Sequence, residues 1–169
     1  MKLPVVAILA GGLSTRLYPI TKSVPKALLK VGGEPFITHQ LKLLKSKGVK
    51  NIVICVGYLG EQIEAFVKDG KNFGVNVKFS YDGSKLLGTG GAIRRALPLL
   101  GEEFFVMYGD SYIDVDFEDI YKTFILKQTQ AIMTVFRNCG RWDKSNIIFK
   151  DGKIIEYDKI KKNIAGLRS

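Results

Sequence analysis

The chain has 169 residues, of which 46% are hydrophobic, 11% aromatic and 25% charged. This balance is typical of a folded domain with its own core, and it excludes a disordered or low-complexity chain. The net charge of +10 comes from lysines that are mostly dispersed along the sequence, which predicts a solvated basic surface and no nucleic-acid partner. No apolar run is long enough to span a membrane and no signal peptide is recognised, so a cytoplasmic protein without membrane attachment is predicted.

Short apolar runs alternate with helical patterns along the chain. The runs that predict strands are residues 5–9, 51–56, 75–81, 104–108 and 131–136. The amphipathic patterns that predict helices are residues 36–47, 61–68, 91–100 and 117–127. Further along, residues 146–150 and 153–157 flank Asp151-Gly152, which is a strong signal for a two-residue hairpin turn.

This alternation predicts one α/β domain over residues 1–169. A mostly parallel, Rossmann-like mixed sheet is expected between two layers of helices. In such sheets, ligands bind beyond the carboxyl ends of the strands. A ligand is therefore expected at the loops that follow four of the strand ends, namely Leu9, Val56, Tyr81 and Tyr108.

The first of these loops combines glycines with side chains that bind phosphate. Gly11 and Gly12 follow the strand almost directly, which lets backbone N–H groups approach a phosphate chain closely. Thr15 adds a hydroxyl group, and Arg16 adds a forked cation that matches phosphate oxygens. The loop is neither a Walker loop nor a G-x-G-x-x-G dinucleotide loop. Taken alone, it is equally consistent with a plain turn.

Two further segments form a pattern with the first loop. The sequence reads A-G-G-x-x-T-R-L-x-P-x-T over residues 10–21 and P-K-x-L over residues 25–28, and Pro35 precedes an apolar helix. This pattern resembles the signature of the sugar-1-phosphate nucleotidyltransferases. Ser14 stands where that family usually has glycine. The resemblance implies a GT-A-like nucleotidyltransferase fold.

The resemblance also implies roles for these residues. In the family, the glycine loop and the arginine hold the triphosphate of the nucleotide, and the lysine contacts phosphate at the reacting end. Arg16 and Lys26 are therefore the expected catalytic residues. The nucleotide-binding residues expected in these segments are Leu9, Ala10, Gly11, Gly12, Thr15, Arg16 and Lys26.

Residues 86–93 form a second glycine-rich loop. They resemble the family's L-G-T-x-G-A segment, whose backbone lies against the base and the sugar before a helix begins. The resemblance assigns nucleotide contacts to Gly88 and Thr89, and Asp82 is the candidate for reading the edge of the base. The alternative is a glycine-rich helix N-terminus that contacts no ligand.

The fourth strand ends in a carboxylate motif, Tyr108-Gly109-Asp110-Ser111. A carboxylate at the carboxyl end of a strand is well placed to hold Mg²⁺. The motif resembles the family's G-D metal motif, so Asp110 is the expected Mg²⁺ ligand and Gly109 an expected contact of the sugar phosphate. The alternative role for an aspartate here is a turn or a helix cap. Asp114 and Asp116 fit that role better, because they adjoin the helix predicted from residue 117.

Residues 156–159 resemble the family's E-K segment, which binds the sugar phosphate. Asp158 takes the place of the family's glutamate and Lys159 that of its lysine, so both are assigned to sugar-phosphate binding. Family members continue past the position of Ser169 with further strands, helices and a second metal-binding aspartate. The chain is therefore expected to be truncated at its C-terminus. It is also expected to form homo-oligomers through apolar surface that those elements would cover.

The reaction implied by the resemblance joins a sugar 1-phosphate and a nucleoside triphosphate to give an NDP-sugar and pyrophosphate. Residues 88–92 are most similar to members that use GTP with a heptose- or mannose-type sugar, which predicts a guanylyltransferase of cell-surface polysaccharide biosynthesis. A uridylyl- or thymidylyltransferase of the same family is the alternative. A non-catalytic nucleotide-sensing domain also stays open. A GT-A glycosyltransferase is disfavoured, because Arg16 and Lys26 together suit a triphosphate.

Overall fold

A four-stranded parallel sheet organises the first part of the chain in the computed structural model, which describes residues 1–137, 139, 141 and 146–158. The strands in chain order are β1 (Val5–Leu9), β2 (Lys30–Val31), β3 (Glu34–Pro35), β4 (Asn51–Val56), β5 (Asn76–Tyr81), β6 (Phe104–Tyr108), β7 (Ile147–Lys150) and β8 (Lys153–Tyr157). The main sheet has the order β5-β4-β1-β6. The chain divides into two compact units, Met1–Gln128 and Thr129–Ser169, and the main sheet belongs to the first.

Helices cover both faces of this sheet, as the alternating pattern predicts. They are α1 (Phe36–Ser46), α2 (Gly60–Val67), α3 (Gly88–Leu100) and α4 (Phe117–Lys127). The side chains of Val6 and Ile8 enter a core with α1, α2 and α4, whereas Ala7 between them enters a second core with α3. This division follows from the two-residue period of a strand, which sends neighbouring side chains to opposite faces. The predicted α/β architecture with a mostly parallel sheet is therefore confirmed.

Most of the buried side chains in the core on the α3 side are small. Ala7, Val53 and Cys55 of the strands meet Ala92 and Ala96 of the helix. Burial, with a smaller contribution from the charge of Asp82, raises the pKa of the Cys55 thiol to about 11. Because the thiolate is the reactive form, a thiol with this pKa stays protonated and inert at neutral pH. Cys55 therefore packs as a small hydrophobic residue.

One predicted strand is wrong. Residues 131–136 have no regular secondary structure, although their apolar run predicts a strand. Their side chains are mostly exposed, and Phe136 is 78% exposed. A strand is stabilised by ladder hydrogen bonds to a neighbour, and within the described ranges no strand pairs with this run. The apolar composition of residues 131–136 was the only evidence for a strand, and composition does not show which neighbouring strand would pair with them.

Two hairpins complete the described structure. In the second unit, β7 and β8 pair antiparallel on either side of Asp151-Gly152, which confirms the predicted hairpin. In the first unit, β2 and β3 form a two-residue antiparallel ladder immediately before α1, and the sequence patterns did not indicate it. In the part of the chain that the structure describes, no helix is both long and apolar enough to cross a membrane.

Candidate active site

The loops that follow the four parallel strands meet at one edge of the sheet. Two backbone hydrogen bonds tie the end of β1 to the neighbouring segments: Ala10 N donates to Cys55 O at 2.8 Å, and Gly109 N donates to Leu9 O at 2.9 Å. Because all four strands run in the same direction, their carboxyl ends lie side by side. The predicted location of the site is thus a real junction of loops from distant parts of the sequence.

Two glycines allow this junction to close. A Cβ atom at Gly11 would lie 3.0 Å from Gly57 N, and a Cβ atom at Gly109 would lie 2.6 Å from Leu9 O. A contact of 2.6 Å to a backbone oxygen is too short for any side chain, so Gly109 cannot be replaced unless β1 or the turn that carries Gly109 shifts. By contrast, a Cβ atom at Gly12 would meet nothing within 4 Å, which leaves the backbone there open to a ligand.

The loop after Gly12 is folded into a single 3₁₀ turn that starts from a left-handed residue. Ser14 has a φ of 51°, and its carbonyl oxygen accepts hydrogen bonds from Leu17 N at 3.0 Å and from the buried Thr21 hydroxyl at 2.9 Å. The turn Thr15–Leu17 carries both predicted phosphate-binding side chains into solvent. The family's preference for glycine at position 14 thus has a backbone explanation in this chain.

Ser14→Gly is expected to make the protein more stable than Ser14→Ala, with a difference of about 1 kcal/mol in the free energy of unfolding. A left-handed residue with a Cβ costs about 1–2 kcal/mol, and glycine avoids most of that cost. Urea denaturation of both variants measures the difference. Ser23 provides the control, because its φ of −121° lies outside the left-handed region and the order should reverse there. Equal stability of the two position-14 variants would contradict this account.

Two side chains that the sequence patterns did not indicate hold the segment between Arg16 and Lys26. The Tyr58 hydroxyl donates to Lys22 O at 2.8 Å, and the Gln62 amide donates to Ser23 O at 3.0 Å. Tyr58 follows β4 and Gln62 belongs to α2, so the second strand–helix unit clamps the first loop. No sequence motif marks these residues, because their role is apparent only from the backbone carbonyl groups to which they donate hydrogen bonds in the structure.

The predicted lysine and the predicted metal-binding carboxylate are in direct contact. Lys26 Nζ lies 2.8 Å from Asp110 Oδ2, although the two residues are 84 positions apart in sequence. Their side chains are 40% and 50% exposed, so both remain accessible to a ligand. Lys26 begins the 3₁₀ turn Lys26–Leu28, which the buried Ala27 anchors to the core. The structure therefore brings together the lysine that the family resemblance assigns to the reacting phosphate and the carboxylate that it assigns to Mg²⁺.

The other aspartates of this region have local structural roles. Asp116 caps α4, where its Oδ1 accepts hydrogen bonds from Glu118 N at 2.9 Å and Asp119 N at 3.1 Å. Asp114 forms an ion pair with Lys47 at 2.5 Å. Helix capping by an aspartate is an ordinary stabilising contact. The prediction of a helix-cap role is therefore confirmed for Asp116, which differs in this respect from Asp110.

Asp82 lies beneath the first loop rather than in the open. It is 7% exposed, and its Oδ2 accepts a hydrogen bond from Leu87 N at 3.1 Å. The same oxygen would lie 3.2 Å from a Cβ at Gly57 and 3.5 Å from one at Gly11. Asp82 thus joins the loop before α3 to the loop after β1. Its assignment to the edge of the base stays a prediction.

The helix after this loop begins earlier than predicted. α3 starts at Gly88, three residues before the predicted start, and Gly88 has a φ of 68°. Gly88 and Thr89 are exposed, and the residue at the N-cap position, Leu87, makes no side-chain capping hydrogen bond within the described part of the chain. Uncapped N–H groups at a helix N-terminus favour an anion or another acceptor. This geometry is compatible with the predicted nucleotide contacts, which stay predictions.

The remaining predicted residues are placed only in part. Arg16 is exposed, and among the described residues its guanidinium has no hydrogen-bond or ion-pair partner. Asp158 belongs to the second unit, where its backbone N–H donates to Asn146 O at 3.0 Å beside the hairpin. Lys159 lies outside the described residues. Sugar-phosphate binding by Asp158 and Lys159 therefore stays a prediction.

Comparison with known proteins adds independent information about this junction. The family model described as nucleotidyl transferase matches residues 5–143. The chain is 44% identical over 117 residues to the N-acetylmuramate alpha-1-phosphate uridylyltransferase of Neisseria meningitidis, covering 69% of this chain and 51% of that protein. It is 38% identical over 109 residues to the D-glycero-alpha-D-manno-heptose 1-phosphate guanylyltransferase of Campylobacter jejuni, covering 64% of this chain and 48% of that protein.

Solved structures agree with these sequence matches. The crystal structure of HddC from Yersinia pseudotuberculosis complexed with GMP-PN superposes with a TM-score of 0.66 at 31% sequence identity. That match covers 73% of this chain and 55% of the other. The chain spans about half the length of the curated relatives it matches. The matched region includes the whole junction of loops described above.

Proposed function

The chain belongs to the nucleotidyl transferase family, and on that premise we propose that it transfers a nucleotidyl group from a nucleoside triphosphate to a sugar 1-phosphate. The products are an NDP-sugar and pyrophosphate. The observation that carries the proposal is the contact of 2.8 Å between Lys26 Nζ and Asp110 Oδ2. This contact joins the phosphate-binding lysine and the carboxylate of the family pattern at the edge where parallel sheets bind ligands.

The reaction needs little covalent chemistry from the protein. An oxygen of the sugar phosphate attacks the α-phosphorus, and the bond from that phosphorus to the β-phosphate oxygen breaks as pyrophosphate leaves. The attacking oxygen is already anionic, so no base is needed to activate it. The open backbone at Gly12, the guanidinium of Arg16 and the ammonium of Lys26 orient the triphosphate and neutralise its growing charge.

A divalent cation, Mg²⁺, fits the donor set at Asp110. Among the described residues, no cluster of three or more metal-ligating side chains forms a complete site. Mg²⁺ is commonly held by one or two carboxylates together with substrate phosphates and water, so a single accessible carboxylate suits a metal that arrives with the triphosphate. Asp110 already faces a cation, the ammonium group of Lys26. When bound, Mg²⁺ would neutralise charge on the phosphates.

GTP with a heptose- or mannose-type 1-phosphate is the proposed substrate pair. The guanylyltransferase of Campylobacter jejuni and the HddC structure with GMP-PN, both similar to this chain, support that choice. A second candidate is uridylyl transfer, and the 44% identity to the uridylyltransferase of Neisseria meningitidis favours it. Gly88 and Thr89 lie where α3 begins at the ligand edge, and they are the proposed contacts to base and ribose.

Calorimetric titration of the 169-residue chain with GTP, UTP, dTTP and CTP, each with Mg²⁺, tests this proposal. GTP should bind most tightly, and EDTA should weaken its binding. Release of pyrophosphate is then assayed with each nucleotide and with mannose-, heptose- and N-acetylmuramate-type 1-phosphates. A preference for UTP would establish the second candidate. If no nucleotide binds in a metal-dependent way, the proposed function is wrong.

A further inference from the structure

A buried glutamine lies behind the carboxylate motif. Gln40 is on α1 and is fully buried, on a helix whose neighbouring core positions are Ile37, Leu41 and Leu44. Its amide nitrogen donates to Tyr108 O at 3.1 Å and to Ser111 O at 2.8 Å. A buried amide must be hydrogen-bonded to be tolerated in such a core. Both hydrogen bonds of Gln40 go to the backbone on either side of Asp110.

These two acceptors are the ends of one tight turn. Ser111 N donates to Tyr108 O at 3.1 Å, which closes a four-residue turn with Gly109 and Asp110 at its centre. The Gln40 amide therefore bridges the first and last residues of the turn. On its other side, the turn is held against β1 by the hydrogen bond from Gly109 N. The backbone that carries the Asp110 carboxylate is fixed from two directions.

The orientation of the amide follows from its partners. Two carbonyl oxygens can only accept, so the amide nitrogen and not the oxygen must face them. The other amide atom, Gln40 Oε1, has no hydrogen-bond partner among the residues that the structure describes. A buried acceptor without a donor costs free energy, which an apolar side chain of the same size would avoid. The two hydrogen bonds that the amide nitrogen donates to the turn offset this cost.

We propose that Gln40 is a positioning residue for the Asp110 carboxylate. It sets the turn so that the carboxylate meets a metal carried by the triphosphate, and it touches neither substrate nor metal itself. This inference rests on the proposed function, since it assigns Gln40 to the metal-binding carboxylate of that site. The chemical group that the positioned carboxylate would recognise is a divalent cation bound to a nucleoside triphosphate.

The test compares nucleotide affinity with and without metal. For each protein, the dissociation constant of GTP, or of UTP if that nucleotide binds more tightly, is measured in EDTA and in saturating Mg²⁺. Gln40→Met removes both donated hydrogen bonds and keeps the size of the side chain. The ratio of the dissociation constant in EDTA to that in Mg²⁺ is expected to fall about tenfold, because loss of a residue that supports a metal ligand typically weakens metal binding by about that factor. The affinity in EDTA should change little.

Thr38→Val is the matched control. Thr38 is also buried on α1, and within the described residues its hydroxyl has no hydrogen-bond partner, so unlike Gln40 it donates no hydrogen bond to the turn. Its ratio should equal that of the wild type. Gln40→Asn, whose amide is one methylene shorter, is the second variant in case the methionine variant does not fold. An unchanged ratio in a folded Gln40 variant would overturn the inference.

The same measurements separate this inference from the function on which it rests. If the wild type shows no enhancement of nucleotide binding by Mg²⁺, or if Asp110→Asn keeps the full enhancement, the proposed metal role of Asp110 fails. If those two results are as expected, only the Gln40 variants decide about positioning. A purely structural glutamine would lower the stability in urea, as Thr38→Val can do, without changing the ratio.

Discussion

Asp110→Asn should lower the rate of pyrophosphate release a hundredfold or more and remove the enhancement of nucleotide binding by Mg²⁺. Asparagine keeps the shape of the side chain but loses the negative charge that a divalent cation requires. A hundredfold loss corresponds to about 3 kcal/mol of transition-state stabilisation. Coupled pyrophosphate detection measures the rate, and calorimetry with and without EDTA measures the enhancement.

The same substitution should leave the melting temperature nearly unchanged. The Lys26–Asp110 ion pair is about half exposed, and ion pairs of this kind contribute about 0–1 kcal/mol to stability. The turn that carries Asp110 keeps its backbone hydrogen bonds, because none of them involves the carboxylate. Function and stability are therefore expected to separate at this position.

Asp114→Asn is the matched control for that separation. Asp114 is also exposed and also pairs with a lysine, Lys47, but that lysine is not part of the predicted site. Its loss should affect neither the rate nor the response to Mg²⁺. If Asp110→Asn instead unfolds the protein, and if Mg²⁺ has no effect on the wild type, then Asp110 has a structural role.

The architecture could be predicted because its signal is local. The continuous apolar run at residues 5–9 predicts a strand buried on both faces, and the structure places Val6 and Ile8 in one core and Ala7 in the other. Helices α1, α2 and α4 begin and end within one residue of their predicted bounds, because their apolar faces repeat regularly. The predicted strand at residues 131–136 failed where this signal was least specific. A short apolar run carries no information about the partner that a strand requires.

The site was predictable only where a motif existed. Lys26 and Asp110 are 84 residues apart, and the resemblance to a family placed them in one site before the structure showed their contact. Gln40, Tyr58 and Gln62 were missed, because each acts through a carbonyl oxygen of a distant segment. A backbone acceptor leaves no trace in the sequence of either segment. Residues that position a motif are thus harder to find from sequence than the motif itself.

At Arg16, the effect of a substitution on ligand binding can be separated clearly from its effect on the fold of the first loop. Its side chain is exposed on the turn Thr15–Leu17, and in residues 1–137, 139, 141 and 146–158 nothing forms a hydrogen bond or ion pair with it. The fold of the loop instead depends on Ser14 and Thr21, which hold it by backbone and hydroxyl hydrogen bonds. We therefore expect the fold of the loop to stay intact when the Arg16 guanidinium is removed.

Arg16→Ala should lower pyrophosphate release a hundredfold or more, or about 3 kcal/mol, while the melting temperature stays within about a degree of the wild type. The guanidinium is expected to bind the triphosphate and to stabilise the negative charge that grows on pyrophosphate as the bond breaks. Lys50→Ala is the control, because Lys50 is an exposed cation beside the amino end of β4, at the opposite edge of the sheet. Its rate should be normal. A near-normal rate for Arg16→Ala would show that Arg16 is not part of the site. Lys26 and the backbone of the first loop would then bind the triphosphate without it.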